Sequence, residues 1–151
     1  MKKFKLTSEF IVDISGVKLF RIKALIEFGN VKAGDLGGYI EKEENLSHMG
    51  NAWVSGNAQV SGNARVFGDA QVSGDARVSG DKDYAYAHGF GSCNRTTTFF
   101  RLKDGDVGVR CGCFYGTLAQ FRDKVCETHG ETKKAQEYLM LADLMEIRFK
   151  N

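Results

Sequence analysis

Between residues 50 and 81 small, polar and aliphatic positions recur on an unbroken six-residue period. Glycine stands at Gly50, Gly56, Gly62, Gly68, Gly74 and Gly80, each followed by Asn or Asp (Asn51, Asn57, Asn63, Asp69, Asp75, Asp81). Alanine comes next at Ala52, Ala58, Ala64, Ala70 and Ala76, then valine two places later at Val54, Val60, Val66, Val72 and Val78. A short fixed period marks a repeat architecture, and this one is that of a β-helix built from hexapeptides. Three hexads make one triangular turn of about 18 residues. In such a coil valine fills the interior and alanine takes the cramped inward place near a corner. Gly-Asn or Gly-Asp makes the bend, where positive φ is cheap for Gly and tolerable for Asn and Asp.

The frame extends outward with less fidelity. Ile40 and Leu46 fall in the alanine phase, His48 in the valine phase, and Tyr84 and Phe90 hold the valine phase downstream. Residues 39–91 therefore read as a left-handed parallel β-helix of just under three turns, roughly 15 Å tall at the spacing of sheet strands. A stack that short has two open ends with unpaired backbone, which need caps.

The flanks supply them. Residues 1–38 form an N-terminal β cap: Ile14 and Val17 bracket Ser15-Gly16 as a hairpin loop, and Phe20, Ile22 and Ala24 share one strand face. Residues 92–151 form a C-terminal α+β unit. Thr96–Leu102 and Val107–Phe114 read as strands around a Lys103-Asp104-Gly105-Asp106 turn. Thr117 can N-cap a helix with the stripe Leu118, Phe121 and Val125, stopped at His129-Gly130. A second helix from Thr132 is apolar on more than one side, which predicts that it is sandwiched. Met145–Phe149 either extends that helix or forms a strand. The fold class is thus mainly β with an α+β C-terminal part.

Residues 18 apart should stack on the outside of the coil: Trp53 with Gln71, Gln59 with Arg77, Arg65 with Asp83, and Met49, Phe67 and Ala85 in one column. Met49, Trp53 and Phe67 are large apolar groups with no inward place. Either a terminal cap folds over them or they form a subunit interface, as exposed apolar patches usually do; three prisms about a threefold axis, a homotrimer, is the expected assembly.

Composition narrows the classes. Lys and Arg number 21 against 19 Asp and Glu, and the pI of 8.3 falls below that of domains that track a nucleic-acid backbone. Nucleic-acid binding is accordingly not expected. No apolar run is long enough to span a bilayer, and Met1–Lys5 lacks a signal-peptide core. A cytoplasmic setting follows, with Cys93, Cys111, Cys113 and Cys126 as free thiols.

Candidate chemistry is sparse. The hexads resemble those of left-handed β-helix acyltransferases and γ-class carbonic anhydrases. The first resemblance implies a histidine base and acyl-coenzyme A, for which His48 and His88 are the alternatives; His129 suits its helix C-terminus electrostatically. The second implies three metal-binding histidines, two of them five residues apart, and no such pair exists here. Cys111 and Cys113 could be half of a zinc site completed from Cys93, Cys126, His129 or His88, or simply small core residues beside Val107 and Val109. No cofactor is expected. Arg95, Arg101 and Arg110, with Thr96, Thr97 and Thr98, form a donor-rich patch suited to phosphate or an acidic surface. Glu41-Lys42-Glu43-Glu44 reads as a solvated turn.

Over nearly its full length the chain is similar to a group of small proteins from bacteriophages and prophages of Gram-positive gut bacteria. The matching stretches are Phe20–Leu25, Gly34–Ile40, Glu44–Leu46, the hexads, Thr97–Phe100, Cys111–Thr117 and the His129-Gly130 helix end. The resemblance implies a mobile-element origin and an accessory role, such as blocking host defence by binding a CRISPR effector or sequestering a nucleotide signal. A non-catalytic binding protein is therefore expected, with Arg95, Thr97, Arg101 and Arg110 in its binding patch. The alternatives are an acyl-coenzyme A transferase and a virion structural or assembly module.

Overall fold

The computed structural model describes residues 2–90, 95–112 and 114–150. Among them run the strands β1 (Phe4–Val12), β2 (Lys18–Ala24), β3 (Leu36–Ile40), β4 (Trp53–Val54), β5 (Gln59–Val60), β6 (Gln71–Val72), β7 (Arg77–Val78), β8 (Tyr84–Phe90), β9 (Arg95–Arg101), β10 (Val107–Cys111) and β11 (Phe114–Thr117). Helices α1 (Leu118–His129) and α2 (Lys133–Arg148) follow. The protein is mainly β with two C-terminal helices, and its middle is a set of short parallel strands consistent with a small solenoid segment.

The hexads pair as their period requires. β4 lies parallel to β6, with Trp53 opposite Gln71 and Val54 opposite Val72. β5 lies parallel to β7, with Gln59 opposite Arg77 and Val60 opposite Val78. Ser55 donates to the Val72 carbonyl at 2.9 Å and Ser61 to that of Val78 at 2.8 Å. Every valine and alanine of the repeat is at most 1% exposed. Each buried valine contributes about 1.5–3 kcal/mol relative to exposure, so two-residue strands cohere through what they enclose. Gly62 shows why the bends need glycine: its φ is +61°, and a Cβ there would press into the Ser79 carbonyl of the next level. Gly80 differs. Its φ of −157° is extended, and a 3-10 turn at Asp81–Asp83 ends the repeat.

Upstream, the frame slips by two residues. Ile40 pairs with Val60 and Leu46 bridges to Val66, offsets of 20 rather than 18. The 18-residue offset returns by Trp53. Two extra residues are thus absorbed within Ser47–Gly50. Ile40 and Leu46 consequently occupy valine-type inward places, not the alanine phase. His48 leaves the coil interior, and Met49 has no place in a column above Phe67.

The N-terminal hairpin continues one face of the hexad segment. The five-stranded sheet runs β1-β2-β3-β5-β7, antiparallel on the hairpin side and parallel among the hexads. The hairpin turn is set by Asp13, whose carboxylate accepts the N–H groups of Ser15 at 2.8 Å and Val17 at 3.0 Å. Phe4, Ile22 and Ala24 join the coil's core. Lys3 is buried beside them, its ammonium donating to the carbonyls of Ala52 at 2.7 Å and Gly50 at 3.3 Å and lying 4.6 Å from the Phe28 ring. Burial pulls its pKa down to about 8, with Asp69 acting in the opposite direction.

Downstream, a four-stranded antiparallel sheet, β11-β10-β9-β8, packs against the hexad segment. Adjacent residues of β9 serve two cores. Phe100 is buried with the hexad valines, whereas Phe99 packs with Val109, Phe121 and Tyr138 under the helices. Two strands in this sheet depart from expectation. Tyr84 keeps the valine phase in the coil's core, but the chain then peels away as β8 and pairs with β9, leaving Phe90 exposed. Gly112, at φ +58°, turns the chain after Cys111, so β10 and β11 are separate strands.

Thr117 caps α1 as expected. Its hydroxyl accepts the Gln120 N–H, and the Gln120 side chain accepts the Thr117 N–H at 2.9 Å. Gly130, at φ +59°, ends the helix. α2 continues through Met145 to Arg148 as helix. It is not sandwiched: Ala135, Tyr138, Ala142 and Met145 face the core, while Met140, Leu144 and Ile147 are exposed along the opposite side.

Candidate ligand-binding groove

Three parts of the chain meet around a groove of about 740 Å³. Its floor is the outer face of β4 and β6, where Trp53 and Gln71 stand on successive levels. The loop between β2 and β3 forms one wall with Asn30 and Asp35, and Asn51 stands at the coil corner. The C-terminal sheet forms the other wall with Thr96 and Arg110. Strand alternation decides which side chains reach it. Val107, Val109 and Cys111 point to the helices, so Arg110 between them points to the coil.

Arg110 donates from Nε to the Gly112 carbonyl at 3.0 Å and from Nη1 to Ser73 Oγ at 3.4 Å. Among the described residues no carboxylate pairs with it. The amides around it are also under-used. Gln71 Nε2 donates to the Asn51 carbonyl at 3.0 Å, and among the described residues the side chains of Asn30 and Asn51 make no hydrogen bond. Asp35 Oδ2 accepts the Lys32 N–H at 2.9 Å. The arrangement can receive an anion at one wall and hydrogen-bonding edges along the floor.

The expected arginine–threonine patch is divided by the same alternation. Thr97 is fully buried under the helices, its hydroxyl 3.3 Å from Cys111 Sγ, and no surface ligand reaches it. Thr96 lines the groove instead, 2.6 Å from His88 Nδ1, and Thr98 Oγ1 accepts the Gln71 backbone N–H at 2.9 Å. Arg101 lies on the helix side, donating to Asp83 at 3.2 Å and standing over the Phe149 ring at 5.4 Å. Burial alone would raise the Asp83 carboxyl; hydrogen bonds from Ser79 and the Arg101 guanidinium hold it below its ordinary value. Arg101 is thus a brace between sheet and α2. The side chain of Arg95 lies outside the described residues.

The histidines are scattered. His48 stacks on Phe4 at 4.2 Å between ring centres. Its Nδ1 accepts the Lys3 backbone N–H at 3.1 Å, which places the proton on Nε2, 2.7 Å from Glu43. His48 and Lys2 hold the Glu43 carboxyl below its usual range. A ring with its acceptor nitrogen occupied is no free base. His88 is exposed, and His129 lies 5.7 Å from the Tyr138 ring. Cys111 Sγ is buried between Thr97 and Tyr138, as a core residue would be, and Cys126 is exposed on α1. Cys93 and Cys113 lie outside the described residues. Among the described residues no three His, Cys, Asp or Glu side chains gather as metal ligands.

The three outward apolar residues separate. Trp53 is 4% exposed, covered within the chain by Phe28 at 5.3 Å edge to face. Met49 and Phe67 are 81% and 50% exposed, Phe67 resting against Tyr84 and Tyr86. The acidic turn has structural work that its composition hid. Glu41 accepts the Gly62 N–H at 2.7 Å, and buried Asn45 donates to the carbonyls of Gly62 at 3.2 Å and Ala64 at 2.9 Å. Sequence reasoning also missed Asn30, Asn51 and Gln71 as groove residues; the one available signal was the 18-residue stacking of Gln71 on Trp53.

Residues 58–72 and 70–81 match the family model described as YdcK beta solenoid repeat. That match covers the hexads from Ala58 onward and leaves Trp53 and the groove walls outside it. No curated protein matches the chain. Among the described residues no helix is long and apolar enough to cross a membrane.

Proposed function

We propose that this chain is a non-catalytic binding protein in which the solenoid segment is a scaffold and the groove at Arg110 is the site. The observation that carries the reading is a guanidinium with no carboxylate partner among the described residues, in a groove walled by two different segments. The engagement of His48 in structural contacts supports it further. In this reading the hexads close into a left-handed, three-sided coil of about three turns. Three chains associate through the exposed faces carrying Met49 and Phe67. Its origin is a phage or prophage, and its task is to antagonise host defence by holding an effector protein or a nucleotide signal; the support for this part is sequence resemblance.

The test is phage plating on hosts that carry defined CRISPR or nucleotide-signalling defences, with and without this protein. Restored plaque formation that Arg110→Glu abolishes is the expected outcome. No restoration against any defence, together with acetyl-coenzyme A binding that His88→Ala removes, would assign the chain to the transferases. Light scattering checks the assembly: three times the 16.7 kDa chain mass is expected, and a monomer refutes the trimer.

A further inference from the structure

Resting on the binding reading, we propose that the groove takes a nucleoside monophosphate, its phosphate on Arg110 and its base along Asn51, Gln71 and Asp35. The chemistry of the lining makes this assignment. A planar guanidinium donates two parallel hydrogen bonds to a phosphate, geometry that an ammonium cannot match. Side-chain amides present a donor and an acceptor side by side, the pattern that reads the edge of a nucleobase. The Asn51 amide is unengaged among the described residues, and Gln71 uses only its donor end, leaving Oε1 to accept. Asp35 stands on the wall opposite Arg110, away from the phosphate, where a carboxylate oxygen accepts from a base amine. A volume of about 740 Å³ lies within the range of small-molecule and cofactor sites. Trp53, held edge-on to Phe28, gives the floor a rigid apolar base.

The experiment is calorimetric titration of the full chain with AMP, GMP, CMP and UMP, with the matching nucleosides, and with inorganic phosphate. One nucleotide should bind at least about tenfold more tightly than both phosphate and its own nucleoside, because both ends of the groove contribute. Arg110→Ala should weaken that binding about tenfold or more, while Arg110→Lys, a point charge in place of a fork, should restore only part of it. Gln71→Ala should narrow the preference among the four bases. Nucleotide binding no tighter than phosphate binding means an adventitious anion site and overturns the proposal. So does the absence of binding by all four, or binding that Arg110→Ala leaves unchanged. If the nucleotides fail while defence antagonism persists and depends on Arg110, the ligand assignment is wrong and the binding reading stands. If both fail, the binding reading falls too.

Discussion

The coil and the C-terminal sheet bury similar side chains but obtain them differently. A hexad valine meets another hexad valine 18 residues away, in a strand two residues long. A β9 residue meets unlike neighbours from β8 and β10, along a strand of seven. The hexad segment turns its valines and alanines to one buried side, so its buried residues follow from phase alone. The sheet has two buried faces, so adjacent positions such as Phe99 and Phe100 go to different cores. Redundancy fixes the first region, and local detail fixes the second.

Removing those two rings should separate the regions most strongly. Phe100→Ala and Phe99→Ala should each cost about 3–5 kcal/mol in denaturant unfolding. Phe100→Ala should accelerate amide exchange around Asp75–Val78, and Phe99→Ala should accelerate it in α1 and α2. If both variants loosen the same amides, the two cores are not distinct.

The coil's N-terminal end should respond to alkali. Lys3 has its pKa pulled from 10.5 to about 8 in the folded chain, so the folded state sheds its proton first. Below about pH 8 both states are charged and the folded state carries the cost of a buried ammonium. Stability should rise between about pH 8 and 10.5, by on the order of 3 kcal/mol, because the unfolded chain there binds more protons. Urea midpoints across that range check this, and Lys3→Met should flatten the rise. A constant midpoint for the unaltered chain would show that Lys3 keeps its ordinary affinity for protons.

Next in size comes the glycine contrast. Gly62→Ala should cost about 2 kcal/mol through left-handed backbone and contact with the next level, whereas Gly80→Ala should change thermal stability by about 0.5 kcal/mol or less. Equal effects would mean that the repeat bends at both. Smallest is the helix cap: Thr117→Ala should cost about 1 kcal/mol, read as a lowered midpoint with α1 exchanging faster than the coil.

The period displayed the inward residues of the hexads and their pairing from Trp53 onward, and local residue types displayed the Thr117 cap and the Gly130 stop of α1, because each of these rests on a few adjacent residues. Ile40 and Leu46 were legible as inward residues but not in their true phase. The two-residue insertion at Ser47–Gly50 looks like any other polar turn until the pairing of Ile40 with Val60 exposes it. The sequence places Thr97 with the surface patch, since strand alternation gives two faces and not which one faces the helices, where Thr97 lies. The groove is least legible of all: the sequence points to Arg110, but the residues that line the groove with it come from a loop, a corner of the hexad segment and a strand that only the folded chain brings together.

The most direct measurement is methyl NOE spectroscopy on a valine-labelled chain, since the groove floor exists only if the hexads stack at 18 residues. Cross-peaks between Val54 and Val72 and between Val60 and Val78, with slow exchange at the Ser55 and Ser61 amides, are the predicted result. Valine methyls that show no such long-range partners, alongside fast-exchanging amides, would contradict it.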